Sequence, residues 1–410
     1  MVTTPPRLHR PDPAMNKIEA TGWAVRGDFN PLSPPQVMTY LKWKNYPIPR
    51  ERASQRETTN DEGLNNILNH NPKAENDKVL PSVLMLRRLR KGLGYLSDTY
   101  VGKDGNFHPL YTFVPKTGRL SAKAPNIMNQ PKGRGSEIEK EIGKAIRETF
   151  IPFGDDELME FDWKAIEALL VGFFADDPTY VRASKLDIHS ALGAHILLEE
   201  KRLPWEMFSW EWDDEKLKAY FARFKKTFPA DRDRAKKKNH AGNYGQGLKN
   251  LAKDLGCTYN EAKLLQEVTD KAWPKVKEWR HKTRLRAHYE GKLSNPFGYP
   301  MTFFEVFTMR DGEWKPGKEA NECLAFLPQS TGAAMLRETL ITLIDAEEEV
   351  GFKVLAPIHD SVLLSSQKKN RARVAAFVKG IMEKPWEELG RLVVEVEGKA
   401  GPHLAAMEDL

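Results

Sequence analysis

The sequence predicts a mixed α/β (α+β) protein whose core is assembled from two separated parts of the chain, with helices inserted between them. Three stretches lead to that reading. ELMEFDWKAIEALLVGFF (157–174) passes from a short strand into an amphipathic helix. A long helical region rich in Lys, Glu and Trp follows from about 181 to 290, and strand-forming residues return after 291, ending in LAPIHDSVLLSS (355–366).

Composition narrows the class. A chain of 410 residues buries a large core and divides into two or three domains or subdomains. With 40% hydrophobic and 29% charged residues it reads as globular. Lys and Arg outnumber Asp and Glu by 63 to 57, a net charge of +6 that leans mildly toward a polyanionic partner. Two cysteines, Cys257 and Cys323, exclude a disulfide framework and a cysteine-rich zinc site. No apolar run is long enough to span a membrane, and MVTTPPRLHRPDPAMNK at the start lacks the apolar centre of a signal peptide, so a cytoplasmic location and no membrane partner are expected.

Along the chain, residues 1–28 carry scattered prolines and read as an irregular tail. NDEGLNNIL (60–68) opens a helix with Asn60 or Asp61 as cap, and LPSVLMLRRLRKGLGYLSDTYV (80–101) repeats apolar residues at helical spacing. Arg87, Arg88, Arg90 and Lys91 then form a solvated face. FHPLYTFVPKTGRLS (107–121) predicts strands. Past 291 come strands, a long helix through STGAAMLRETLITLIDAEEE, and a hairpin with His359 and Asp360 at or near its turn.

Two carboxylates stand out. Asp162 ends the apolar strand 158–161, ahead of the stripe Ile166, Leu169, Leu170 and Phe173; the plain role there is a helix cap. Asp360 is plainly a turn residue. Together they place two carboxylates on the rim of a sheet, as a pair of Mg²⁺ ions in a phosphoryl-transfer site requires.

DRDRAKKKNHAGNYGQG (231–247) carries more. Asp231 reads as an N-cap, and Arg232, Lys236, His240 and Tyr244 follow at steps of four before Gly245. They form one stripe about 18 Å long. Such a face suits a triphosphate, a sugar and a base in turn, whereas Arg234, Lys237 and Lys238 read as solvated. A wholly solvated basic helix is the alternative.

The Arg-x3-Lys-x3-aromatic-x3-Tyr-Gly helix resembles the fingers helix of family A DNA polymerases, the group of bacterial DNA polymerase I and many phage replicative polymerases. TGRLSAKAPNIMNQP (117–131) resembles that family's TGRLSS-x-x-PNLQNIP segment, DWKAIE (162–167) its DYSQIE, DIH (187–189) an identical tripeptide, PQSTGAA (328–334) a phage form of QGTAA, and HDS (359–361) its HDE. FNPLSPPQV (29–37) and LSDTYV (96–101) match the usual opening, so the resemblance runs in family order over about 29–410.

The resemblance implies a right-hand polymerase fold: an irregular tail at 1–28, thumb at 29–110, palm at 111–180, fingers at 181–290 and palm again at 291–410. It implies a DNA polymerase that extends a primer by two-metal phosphoryl transfer. Asp162, Asp360 and the carbonyl of Trp163 would hold two Mg²⁺ ions, with Mn²⁺ able to substitute. Arg232, Lys236 and His189 would hold the triphosphate, with Lys236 also protonating the leaving group. Glu167 matches the steric gate against a 2′-hydroxyl, while Tyr244, followed by Gly245, covers the templating position. Arg119, Asn126, Asn129, Gln329 and His359 match contacts to primer-template DNA. Deoxynucleoside triphosphates and primer-template DNA are the implied partners of a monomer, with room for accessory replication proteins.

Some features depart from the pattern. His240 stands where the family has Phe or Tyr, and Ser361 where it has Glu. The span from His189 to Arg232 is long and includes Trp205, Phe208, Trp210 and Trp212, expected as core of an added helical element. Only 28 residues precede the thumb, fewer than a domain needs, so polymerisation without a proofreading or 5′ nuclease domain of its own is expected. Two other readings stay open: a single-subunit RNA polymerase, against which Glu167 and TGRLS argue, and a catalytically impaired DNA-binding relative, for which Ser361 is the hint.

Overall fold

The computed structural model describes residues 29–51, 54–94, 101–113, 115–130 and 137–410, plus the backbone of two paired two-residue strands, Leu8–His9 and Ala24–Val25. The rest of the tail, most of LSDTYV and Pro131 of the 117–131 segment lie outside the described residues. The chain forms two compact units, one from residues up to 108 together with 129–147, the other from 109–128 and 148–410.

The first unit is helical. Asn60 caps the helix Asp61–His70 through a bond accepted from Gly63 N. The helix Val79–Leu93 buries Leu80, Val83 and Leu84 against Leu64 and Ile67. Arg88, Arg90 and Lys91 are exposed on it as predicted, whereas Arg87 is partly buried, donating to the Thr59 carbonyl and pairing with Asp61; Arg88 pairs with Glu139 at 2.7 Å. Those acceptors lie 26 or more residues away in the chain, beyond the reach of a periodicity argument.

The second unit is organised by a five-stranded antiparallel sheet. The strand Glu157–Trp163 lies between Ser361–Ser366 and Val396–Gly401, with Phe352–Ile358 and Glu408–Asp409 at the edges. The core sheet therefore draws on two separated parts of the chain, as expected from the order of elements. Met159, Phe161 and Trp163 alternate into one core with Val362, Leu364 and Val396. The Trp163 indole donates to the Met382 carbonyl at 3.0 Å and meets the Trp386 ring edge-on.

The chain leaves that strand through Ala165, whose φ of 49° is left-handed, and enters the helix Ile166–Phe174. Ala165, not Asp162, is the N-cap, so the plain capping role for Asp162 is excluded. This helix packs on Glu322–Asp345, which starts earlier than predicted and runs through Pro328. Burial of Cys323, Leu324, Phe326 and Leu327 holds its first turns helical despite the interior proline.

Between the two parts of the sheet lie seven helices from Pro178–Leu186 to Pro274–Glu290. Phe208 packs edge-on against Trp210, Tyr220 and Phe221, and Trp210 reaches Trp273. The aromatic segment is thus core, but it is irregular rather than helical; Arg182 ties down the carbonyls of Trp210 and Trp212 at 2.6 Å each. Among the described residues no helix is long and apolar enough to cross a membrane.

At the far end of the central strand Glu157 is buried, and Arg371 forks onto its carboxylate. Arg371→Ala leaves that carboxylate unpaired. Because the guanidinium is partly in water, the expected loss is about 1–3 kcal/mol in urea unfolding. Adding Glu157→Gln removes the stranded charge and restores part of the loss; a double variant no more stable than the single one contradicts this account.

Candidate active site

The hairpin linking Phe352–Ile358 to Ser361–Ser366 has His359 and Asp360 as its two loop residues, with Ile358 paired to Ser361. His359 has φ 58°, a left-handed conformation that costs a non-glycine residue about 1–2 kcal/mol. The Ser361 hydroxyl donates to the Ile358 carbonyl at 2.9 Å and so clasps the turn. In the neighbouring pair Ser361 lies opposite Asp162, which brings Asp360 and Asp162 to the same end of two adjacent strands. Asp162 is exposed, Asp360 half-buried.

A carboxylate that sequence reasoning missed stands beside them. Glu160 Oε1 is 3.3 Å from the Ser361 hydroxyl, at the position where the resemblance expects a glutamate. Strand alternation puts Glu160 on the same face as Asp162, and the spacing Glu-x-Asp was the available signal.

Glu167, in the first turn of Ile166–Phe174, is the point where the elements meet. The Tyr244 hydroxyl donates to its carboxylate, Gln329 donates to it at 3.3 Å, and Arg119 approaches to 3.8 Å. Arg119 also lies 4.0 Å from Asp360. Burial raises the Tyr244 phenol, and the Glu167 charge adds to this, so Tyr244 stays a donor. Burial pushes the Asp360 carboxyl up; the Arg119 guanidinium opposes this and the Glu167 carboxylate adds to it.

Arg119 is aimed by a turn. Gly118 has φ 69°, and a side chain there would meet Arg337 and Tyr299 at 3.1–3.2 Å. Arg337 donates to the Gly118 carbonyl at 2.7 Å, another role not legible in the sequence. Asn126 has a buried side-chain oxygen without a partner among the described residues. Asn129 is exposed in the other unit, and His359 is exposed at the hairpin tip.

The stripe lies on the helix Pro229–Asn243, with Tyr244 as C-cap and Gly245 at φ 67°. A side chain at Gly245 would run into the Arg284 guanidinium. Two expectations fail here. Phe228 is the N-cap, while Asp231 lies in the first turn and pairs with Arg202. Lys238 is fully buried beneath Gly242 and Arg234 pairs with Glu200, because these residues turn toward neighbouring helices that spacing alone does not reveal.

Arg232 forks onto Asp187 through bonds of 2.9 and 3.1 Å, and Asp187 also caps the helix Ile188–Glu199 by accepting from His189 N and Ser190 N. Asp187 is a further residue that sequence reasoning passed over, although it lies within DIH. The His189 and His240 rings stand 5.6 Å apart, and Lys236 is exposed on the same stripe.

Burial lowers the pKa of His189 to about 4; Asp187 opposes this, while His240, Arg232 and Lys236 add to it. The folded value is depressed, so the unfolded chain takes up the proton first as pH falls. The associated stability is present above about 6.5 and is lost toward about 4. An imidazole titration followed by NMR should find His189 neutral at pH 5.5; a midpoint near 6.5 would refute its burial.

The surroundings of Asp162 and Asp360 suit a divalent cation. Glu160 and Glu167 add negative charge while Arg119 stands 4.0 Å from Asp360. Among the described residues no group of three His, Cys, Asp or Glu side chains forms a self-sufficient metal site. Mg²⁺ commonly takes one or two carboxylates and fills its remaining positions with substrate oxygens and water.

Comparison with known proteins assigns the chain to a family. The model of DNA polymerase family A matches residues 10–203 and 217–405, and the break falls across the aromatic segment. A thermostable DNA polymerase I of Thermus thermophilus is 26% identical over 329 residues, 78% of this chain and 35% of that protein. DNA polymerase I of Deinococcus radiodurans is 27% identical over 336 residues, 79% and 32% respectively. The chain therefore spans about a third of the length of these relatives. The solved POL domain of Pol1 from M. smegmatis, in complex with DNA primer-template and dNTP, shares the fold with a TM-score of 0.70 at 20% identity, covering 92% of this chain and 61% of that one. With nearly its whole length matched by the family model, this chain belongs to DNA polymerase family A.

Proposed function

We infer that the chain is a template-directed DNA polymerase that adds deoxynucleotides to a primer 3′-hydroxyl. One observation carries the reading: strand pairing sets Asp360 beside Asp162, and Arg119 and Glu167 link this carboxylate pair to the Tyr244 end of the cationic helix. The M. smegmatis neighbour was solved with DNA primer-template and dNTP, the partners this reading assigns here.

Asp162, Asp360 and the Trp163 carbonyl would hold Mg²⁺. Such ions, when bound, lower the pKa of the attacking hydroxyl and neutralise charge developing on the phosphates. The remaining work falls to the chain. Arg232, held in orientation by Asp187, binds the triphosphate together with Lys236 and His189. Lys236 supplies the proton that the departing pyrophosphate takes. Neutral His189 contributes a hydrogen bond without adding a third cation. Glu167, fixed by Tyr244 and Gln329, packs under the sugar and leaves no space for a 2′-hydroxyl. Arg119, Asn126, Asn129, Gln329 and His359 touch the primer-template by shape rather than base identity. Tyr244 and Gly245 border the templating position, and His240 lines the sugar side of the stripe.

Asp162→Ala and Asp360→Ala should each abolish Mg²⁺-dependent primer extension while primer-template binding persists; extension surviving either change sinks the assignment. Glu167→Ala should weaken the preference for deoxy- over ribonucleotides by at least about tenfold in single-nucleotide incorporation. An unchanged preference would remove Glu167 from the sugar site and reopen the RNA polymerase reading.

A further inference from the structure

The turn that ends the helix Pro229–Asn243 is held from behind by buried charges. The last carbonyls of a helix lack helical donors. Here the Gly242 carbonyl accepts from Gly245 N at 3.1 Å, which closes the turn, and from Arg280 of the helix Pro274–Glu290 at 2.6 Å. Arg280 is buried, and its other amino group donates to Asp270 at 2.5 Å. Asp270 stands in the last turn of the helix Tyr259–Ala272, where it also accepts from Gln266 at 2.8 Å. The carboxylate thus aims the guanidinium, and the guanidinium fixes the carbonyl. Breaking either bond away from water leaves a polar group unsatisfied, so the arrangement resists movement.

The residues on both sides of Tyr244 are secured as well. Fully buried Tyr180 donates to the Asn243 side chain at 2.7 Å, and Arg284, one turn beyond Arg280, fills the space behind Gly245. Tyr244 itself donates its hydroxyl to Glu167.

Lys238 provides the contrast. It is more deeply buried than Arg280 and its ammonium lies against Gly242, yet it makes no hydrogen bond among the described residues. Burial lowers its pKa to about 8; Arg280 adds to this and Asp270 opposes it. Of these two cations beneath the turn, the arginine is the one that holds the backbone.

We propose that Arg280 is a positioning residue for sugar selection: by holding the Gly242 carbonyl it keeps the Tyr244 hydroxyl on Glu167, and so keeps Glu167 under the sugar. This rests on the reading of Glu167 as the barrier to a 2′-hydroxyl. A loosened Tyr244 leaves Glu167 with Gln329 and Arg119, so loss of Arg280 lowers selectivity part of the way.

Single-nucleotide incorporation by the full chain, with kcat/KM compared for deoxy- and ribonucleotides, tests this as a double-mutant cycle. Tyr244→Phe removes the hydroxyl and should lower the deoxy preference by about fivefold, and Arg280→Met should lower it by about threefold. Together they should lower it by about fivefold, the value for Tyr244→Phe alone, because nothing remains for Arg280 to position. A combined loss of about fifteenfold means that the two act independently and overturns the proposal. An Arg280→Met enzyme that is less stable but as selective as wild type also overturns it, since that is the signature of a purely structural role. Lys238→Met disturbs the same turn without removing a bond to it and should keep the wild-type preference. If Lys238→Met loses as much as Arg280→Met, any change in packing suffices and the assignment to Arg280 fails.

Asp270 retains Gln266 and Lys277 in Arg280→Met, so no carboxylate is stranded. Should that variant still not fold, Asp270→Asn keeps the arginine, removes the charge that aims it, and should lower the preference by about twofold; wild-type preference there refutes the proposal. Full preference in both Glu167→Ala and Tyr244→Phe refutes the sugar-barrier reading and this proposal with it. Loss in Tyr244→Phe without loss in Arg280→Met refutes the positioning role alone.

Discussion

The pairing of Glu157–Trp163 between Ser361–Ser366 and Val396–Gly401 is the constraint on which the second unit depends. Register matters because side chains alternate: a slip of one residue would carry Asp162 to the core face and Phe161 into solvent. Phe161, Met159 and Trp163, buried with Val362 and Leu364, penalise that slip strongly. The apolar half of each strand thus determines where the polar half puts its carboxylates. The hairpin adds the last step, since Ser361 opposite Asp162 forces Asp360 onto the adjacent rim.

Charge at that rim is held by a few directed contacts. Glu167 gathers Tyr244, Gln329 and Arg119 from three different elements, so one carboxylate ties the sheet end to two helices and the Gly118 turn. Gly118 and Gly245 both have positive φ, and at both an arginine occupies the space a side chain would need. Arg232 and Asp187 form a comparable half-buried pair whose attraction is little screened by water. Asp162 and Lys236, by contrast, are open to solvent.

Several of these contacts were legible. Asn60 announced its own cap, the stripe 232–244 lay on one helix face as its spacing implied, and the two-part sheet followed from the order of elements. Other features were not. Lys238 resembles its neighbours in sequence yet is fully buried, and Arg87 reaches the Thr59 carbonyl 28 residues away. Glu160 carried a readable signal in its two-residue offset from Asp162, but its meaning required Ser361 to be placed across the strand. Arg337 gave no local sign of holding the Gly118 carbonyl, since the partners are 219 residues apart.

Sequence by itself determined the periodicities, the turn residues and the order of motifs, and with them the family and the candidate carboxylates. These are local properties, set by backbone preference and side-chain spacing within a few turns or strands. Only the tertiary structure decided which cations are already neutralised, which lysine is buried, and which carboxylates share a face. Such outcomes depend on contacts between residues far apart in the chain, where burial and screening, rather than residue type, settle what a charge can do.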